Sequence, residues 1–493
     1  MPPAIYERDN THMRYRFSLM RAQARLGIAA SLCVLALAAC TDRLLSVKDP
    51  DVANPGTLTG ADKLPTQLAS AIGDFQVGFS GDGSGGNEGV VNMMGLMTDE
   101  FDFTESFPTR IVVDQRNMVP QNVTLTNIFF NISRARATAA RASDQYNQFD
   151  AANIGHSQVL SLEAYAQLLM AEMYCGAVPF STLNPDGSVS NGTPLTTAEM
   201  LQTAVATFDS AISIAAAARA ADSTTAATTT GGAHNAALAA MADDIDHENL
   251  ARVGKGRALV NMGGANLQVA DSVVASVATD FEYAILSSAN TNRENNGIWE
   301  MIFDEGRWSV ADSEGINGLN FVSAGDPRVV TDFLGTGFVS NTQVFGPDKY
   351  SDRSSPTVLS SGIEARLIQA EAALARSDGA WLTDLNTLRS GSGLSLGALS
   401  DPGSDTARVN LVCRERAFWV YATGHRLGDL RRLARSTADG GYGRPAESVF
   451  PTGPYHYRGS TNGIYGNNVS FPIPIEEGNN PDFAGTTCDL TVP

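Results

Sequence analysis

The sequence predicts a mostly α-helical protein in which paired helices support a loop-rich, irregular lobe. Apolar residues recur at helical spacing through 121–280 and 361–435, and that period vanishes across 281–360 and again over 436–493. The helical runs also come in pairs at spacings near those of tetratricopeptide repeats, although no crisp repeat signature is present. With 493 residues, 43% of them hydrophobic, the chain is long enough to bury a large core.

The N-terminus reads as a targeting segment. Arg14, Arg16, Arg21 and Arg25 precede an apolar run from Leu26 to Ala39 that is too short to span a bilayer as a stable helix, so residues 1–39 form a secretory signal peptide. The run closes on Leu37-Ala38-Ala39-Cys40, similar to a bacterial lipobox, in which small residues precede a cysteine that is acylated before cleavage. Lipid at Cys40 would tether the mature chain to a membrane without a spanning segment. Residues 40–60 then form a polar tether, broken by Asp49-Pro50 and Asn54-Pro55.

From residue 61 a single domain is expected. Leu64 to Phe79 reads as a first helix, and Gly81 to Gly89 is a flexible loop lacking the Gly-Lys-Ser/Thr ending of a phosphate loop. Leu125, Ile128, Ile132 and Ala135 mark one helix face; Leu162, Tyr165, Leu169 and Met173 mark the next, which stops at Cys175-Gly176. Thr196 and Glu199 form a capping-box pair ahead of Leu201, Val205, Phe208 and Ile212. Ala215 to Ala240, rich in Ala and Thr around Gly231-Gly232, reads as an extended, mobile connection. Asn249–Met262 and Leu267–Val277 give a further helix pair, and after the irregular lobe helices resume at Ile363 and Leu382.

The densest chemistry lies between Cys413 and Leu433, where Arg414, Glu415, Arg416, Arg426, Asp429, Arg431 and Arg432 are threaded among aromatics and leucines. Its first half reads as a helix ended by a left-handed Gly424. Such a cluster is either an anion-binding or catalytic site, or a network of buried ion pairs at a helix corner. Buried charges must be paired, and the guanidinium fork suits carboxylates. With no companion catalytic motif, Glu415, Arg416, Arg426, Asp429 and Arg432 are expected to be structural, pairing with helix ends and the C-terminal tail.

Charge and cysteines exclude several classes. The net charge of −19 argues against nucleic acid and against adhesion to anionic lipid through charge. Past Cys40 only Cys175, Cys413 and Cys488 remain; an exported chain can oxidise one pair, and of three pairings Cys413 with Cys488 is favoured as a staple for the tail. No CxxC or His-Cys spacing suggests a metal, and no cofactor motif is present. No Gly-x-Ser-x-Gly elbow is present either.

Taken in order, the lipobox at Cys40, Gly176-Ala177-Val178-Pro179, Gly325-Asp326-Pro327-Arg328 and the helix Glu364 to Ala372 make a recognisable series. It continues through Arg414-Glu415-Arg416, Gly424-His425-Arg426 and Asp429-Leu430-Arg431-Arg432 to Phe471-Pro472-Ile473-Pro474. This series resembles the SusD/RagB family of outer-membrane nutrient-binding lipoproteins and covers nearly the whole mature chain. The resemblance implies tetratricopeptide-like helix pairs carrying a loop-rich lobe, and a cell-surface location through the lipid anchor. It also implies a TonB-dependent, SusC-like outer-membrane barrel as partner, and an oligosaccharide or peptide ligand that is bound without being cleaved.

A sugar site needs flat aromatics flanked by polar side chains. Trp299, Arg307, Trp308 and Tyr350 in the lobe, with Phe101, Asp102 and Phe103 facing them, are the expected ligand residues. Two other functions compete: a surface glycoside hydrolase, for which Asp99, Glu100, Asp102, Asp304, Glu305 and Asp312 could supply the two carboxylates, and a protein-interaction subunit with no ligand of its own.

Overall fold

The computed structural model describes residues 59–84, 86–184, 188–338, 342–457, 460–483 and 488–493. The signal peptide, the lipobox at Cys40 and nearly all of the tether lie outside the described residues. From residue 58 onward the chain forms one unit.

Helices α1 (Leu64–Ser80), α4 (Val123–Phe149) and α5 (Ile154–Met173) pack side by side. Asn122 and Asn153 start the last two, each accepting backbone N–H groups that the helix leaves unpaired. Helix α6 (Thr197–Thr228) opens with the expected Thr196–Glu199 capping box and runs against both α5 and α7 (Gly231–Met262). The long α6–α7 hairpin corrects the reading of Ala215–Ala240 as an extended connection. That stretch is helical on both sides of Thr229-Thr230, because alanine is the strongest helix former and the two glycines fall at the turn. Helix α8 (Asn266–Val274) then packs on α7 and on α9 (Gly362–Ala375), which in turn packs on α10 (Ala380–Gly391) and α11 (Asp405–Trp419). Helix α12 (Arg426–Ala434) lies across this series, touching α5, α7 and the short helix α2 (Val90–Met97).

The irregular lobe is made of two-stranded antiparallel ladders. Strand β1 (Phe101–Phe103) pairs with β3 (Trp308–Val310), setting Phe103 opposite Trp308. Strand β2 (Glu282–Ile285) pairs with β6 (Thr357–Ser361), and β4 (Thr331–Thr336) with β5 (Gln343–Pro347). A tail hairpin, β7 (Pro454–Tyr457) and β8 (Ser460–Ile464), follows α12. Beyond it, the Phe471 N–H donates to Met173 O at 2.8 Å, which brings the Phe-Pro-Ile-Pro segment back to the end of α5. One apolar core runs through helices and lobe together, containing Phe75 and Leu169 as well as Phe101, Trp308 and Phe321. A smaller one lies between α9, α10 and α11 around Trp381 and Leu385.

Candidate functional site

The Cys413–Leu433 stretch is a buried ion-pair network. Helix α11 stops at Trp419, ahead of the expected end at Gly424; Ala422 and Gly424 both take left-handed angles in the turn, and α12 begins at Arg426. Arg416 reaches Asp429 at 3.1 Å, and Asp429 also accepts from Arg432 at 3.0 Å. Arg432 makes two 2.9 Å bonds to Glu371 on α9, while Arg426 holds Asp99. Glu415 is shared by Arg328 and Arg389, each 2.7 Å away. Burial opposes the charge on Asp429, but the Arg416 and Arg432 guanidiniums outweigh it and hold the carboxyl well below its usual range.

The partners come from helices, the segment before β1 and, through Arg328, the lobe; from the C-terminal tail the Tyr442 hydroxyl donates to Glu371 at 2.9 Å. Gly428 is needed where it stands, since a Cβ there would lie 2.9 Å from the Glu172 carboxyl carbon. Glu172 in turn binds Arg257, and Arg257 touches His425, so α5, α7 and α12 meet at one point. Arg431 of the same stretch donates instead to the Ala171 and Glu172 carbonyls, and Arg414 to Asn320.

The disulfide is not the expected one. Cys175 is bonded to Cys488, with Cα atoms 5.5 Å apart, and Cys413 is a buried free thiol. The tail is thus stapled to the end of α5. Burial pushes the Cys413 thiol up to about 12, so it stays protonated within the core.

Four of the expected ligand residues are core residues. Phe101, Phe103, Trp308 and Tyr350 are buried; Phe101 and Phe103 meet Trp308 edge to face, and the Tyr350 hydroxyl donates to Ala422 O at 2.7 Å. Strand β1 alternates so that both phenylalanines point inward, which removes them from any ligand. Asp102 lies between them, half-buried and paired across the ladder with Ser309. Trp299 is half-buried, with the Arg353 guanidinium 4.8 Å from its ring.

Arg307 alone among the seven reaches an exposed aromatic surface. Its guanidinium lies 5.1 Å from the Phe107 ring centroid, and Arg110 approaches the same ring at 5.4 Å. Phe107 is 41% exposed although two cations approach its ring. Glu88 accepts from Arg110 at 2.6 Å and Glu305 from Arg307 at 2.8 Å, which fixes both guanidiniums. Thr104 N–H donates to Arg307 O, and Phe338 N–H to Gly306 O, so Phe338, just past β4, is tied to the residue before Arg307. Phe338 is 68% exposed, and Phe333 on β4 is 58% exposed. The face combines apolar rings with fixed donors and acceptors, which suits a ligand that presents both ring faces and hydroxyls. Phe338 was legible as an aromatic in a Gly-rich turn, with little around it to bury it; Arg110 had no sequence signal.

No protein-family model matches the sequence, and no curated protein matches it. Solved structures do. A SusD-like carbohydrate-binding protein from Bacteroides fragilis superposes with a TM-score of 0.57 at 13% identity, covering 86% of this chain and 99% of that one. The chain has a SusD-like fold. A SusD homologue from Bacteroides thetaiotaomicron matches with a TM-score of 0.56 at 12% identity, over 88% of this chain and 97% of its own. A SusD/RagB family protein from the same species gives 0.55 at 15% identity, over 84% and 95%. The SusD-like architecture therefore spans most of the chain.

Proposed function

We propose that the protein captures an oligosaccharide on the face formed by Phe107, Arg110, Arg307 and Phe338 and delivers it to a TonB-dependent, SusC-like outer-membrane barrel, from a lipid anchor at Cys40 on the cell surface. The exposed Phe107 ring, braced by two ion-paired arginines, carries the reading. It is supported by a structural neighbour described as a SusD-like carbohydrate-binding protein. Binding without cleavage is favoured over hydrolysis because three of the six candidate carboxylates are already engaged. Asp99 is bound by Arg426, Glu100 accepts from the Ala422 N–H in the core, and Asp312 accepts from Ser323.

Calorimetric titration against a panel of glycans and peptides tests this. Wild-type protein should bind at least one glycan, and Phe107→Ala should weaken that binding by about 1–3 kcal/mol, as for loss of a stacking platform. Unchanged affinity in Phe107→Ala would remove the site, and release of reducing ends from any glycan would replace binding with hydrolysis.

A further inference from the structure

Two guanidiniums beside an exposed ring would by themselves favour an acidic ligand, and their partners reverse that. Phe107 stands at the N-cap of helix α3 (Pro108–Asp114), and Arg110 lies in its first turn. Arg110 Nε donates to Glu88 Oε1 at 2.6 Å, and its Nη1 donates to Thr109 Oγ1 at 3.2 Å. From the lobe, Arg307 Nη1 lies 2.8 Å from Glu305 Oε2, and Arg307 Nε lies 3.8 Å from Glu105 Oε2. Each positive charge at the ring therefore has a carboxylate at contact distance.

The fold holds these carboxylates in place. Glu88 is buried at the end of the glycine-rich loop 81–89. Asp82 N–H donates to Asn87 O at 3.1 Å, and a Cβ on Gly89 would strike the Phe79 carbonyl oxygen and the Gly81 nitrogen. The two ends of the loop thus pass each other too closely for a side chain. A phosphate-binding loop uses such glycines to aim N–H groups at an anion; this one delivers a carboxylate. On the other side, Glu305 N–H donates to Glu300 O at 2.9 Å and Arg307 N–H to Met301 O at 3.0 Å, which sets the second pair. Asp304, next to Glu305 in sequence, is exposed and adds a further negative charge. The three residues that follow Phe338 are Val339, Ser340 and Asn341, none of them ionisable.

We infer that this face selects neutral glycans and rejects those bearing carboxylate or sulfate, with Glu88 and Glu305 as the specificity-determining residues. The inference rests on the capture reading above and narrows its ligand class. A guanidinium whose charge is answered still offers N–H donors, and sugar hydroxyls can accept them. An acidic ligand gains little from such a guanidinium. It must displace Glu88 or Glu305 from its arginine, stranding a carboxylate, or sit beside both as a like charge. A neutral ring meets neither cost.

Calorimetric titration with matched pairs tests this. A neutral glycan bound from the panel is compared with the same glycan after its primary hydroxyls have been oxidised to carboxylates. The oxidised form should bind wild-type protein at least about tenfold more weakly at low salt, and the gap should narrow at high salt, where exposed charges are screened. In Glu305→Gln and in Glu88→Gln the ratio of oxidised to neutral affinity should rise about tenfold, because one guanidinium is then unanswered. Reading the ratio separates selectivity from a general weakening of the site. If Glu88→Gln does not fold, Glu305→Gln decides, since its side chain is partly exposed. Equal or tighter binding of the oxidised form by wild-type protein would overturn the inference, as would an unmoved ratio in Glu305→Gln. A preferred sialylated, uronate or sulfated glycan whose binding Phe107→Ala abolishes would also overturn it, while leaving capture at this face standing. If no glycan binds at all, the capture reading itself falls and the selectivity with it.

Discussion

Arg426 grips Asp99 through two hydrogen bonds, 2.7 Å from Nε to Oδ1 and 2.9 Å from Nη2 to Oδ2, between residues 327 positions apart in sequence. Both side chains are buried, and the other Asp99 bond, from the Leu319 N–H at 2.7 Å, fixes the lobe to the same carboxylate. One ion pair thereby joins helix α12, the approach to β1 and the lobe. Breaking it from one side should cost about 3–5 kcal/mol, because the remaining charge stays buried without a partner. Arg426→Ala and Asp99→Ala are each expected to lower the unfolding free energy by that amount. The double variant should lose less than the sum, which a denaturant double-mutant cycle measures.

The disulfide gives a second test. Cys175 and Cys488 close a loop with a sequence separation of 313 residues, so the bond restricts the unfolded chain strongly. Cys488→Ser should destabilise the protein by about 2–5 kcal/mol and free the tail where Phe471 meets Met173. Cys413→Ser should leave the disulfide intact. Non-reducing peptide mapping checks the pairing: a Cys413–Cys488 peptide would contradict it, and a Cys175–Cys488 peptide in both wild-type and Cys413→Ser protein is expected.

The helical scaffold was readable because its apolar faces repeat at the helix period and its starts carry caps, as at Thr196. The exception, Ala215–Ala240, shows propensity and punctuation in conflict. Two glycines suggested a break, but they needed only a turn, and the alanines on either side kept the helices going. In the lobe the error had a different source. Phe101, Phe103 and Trp308 have the composition of a sugar platform, and only their pairing across β1 and β3 shows that they face the core. The alternation in Phe101-Asp102-Phe103 was a strand signal available from sequence; the partner strand, some 200 residues away, was not. The disulfide lay beyond reach for the same reason, since pairing depends on which chain ends meet in space.

Glu100 offers a prediction with a defined sign. Its Oε1 accepts the Ala422 N–H at 2.8 Å, while Oε2 is buried with no hydrogen-bond partner. Burial pushes the carboxyl from the ordinary 4.5 up to about 7, against the pull of that N–H and of the Arg426 charge. The folded value is raised, so the stability linked to Glu100 is complete below the unfolded value and declines as pH rises towards about 7. The full decline should be no more than about 3 kcal/mol, by the usual conversion of a pKa difference to free energy. Glu100→Gln keeps the acceptor for Ala422 but places an amide NH₂ where Oε2 was, so a constant penalty is expected at every pH. The slope is therefore the informative quantity. Urea denaturation at several pH values between about 5 and 8 should show wild-type protein losing stability relative to Glu100→Gln as pH rises. Parallel curves would mean that Glu100 ionises in the core without cost, and that the Ala422 N–H and Arg426 together compensate for its burial.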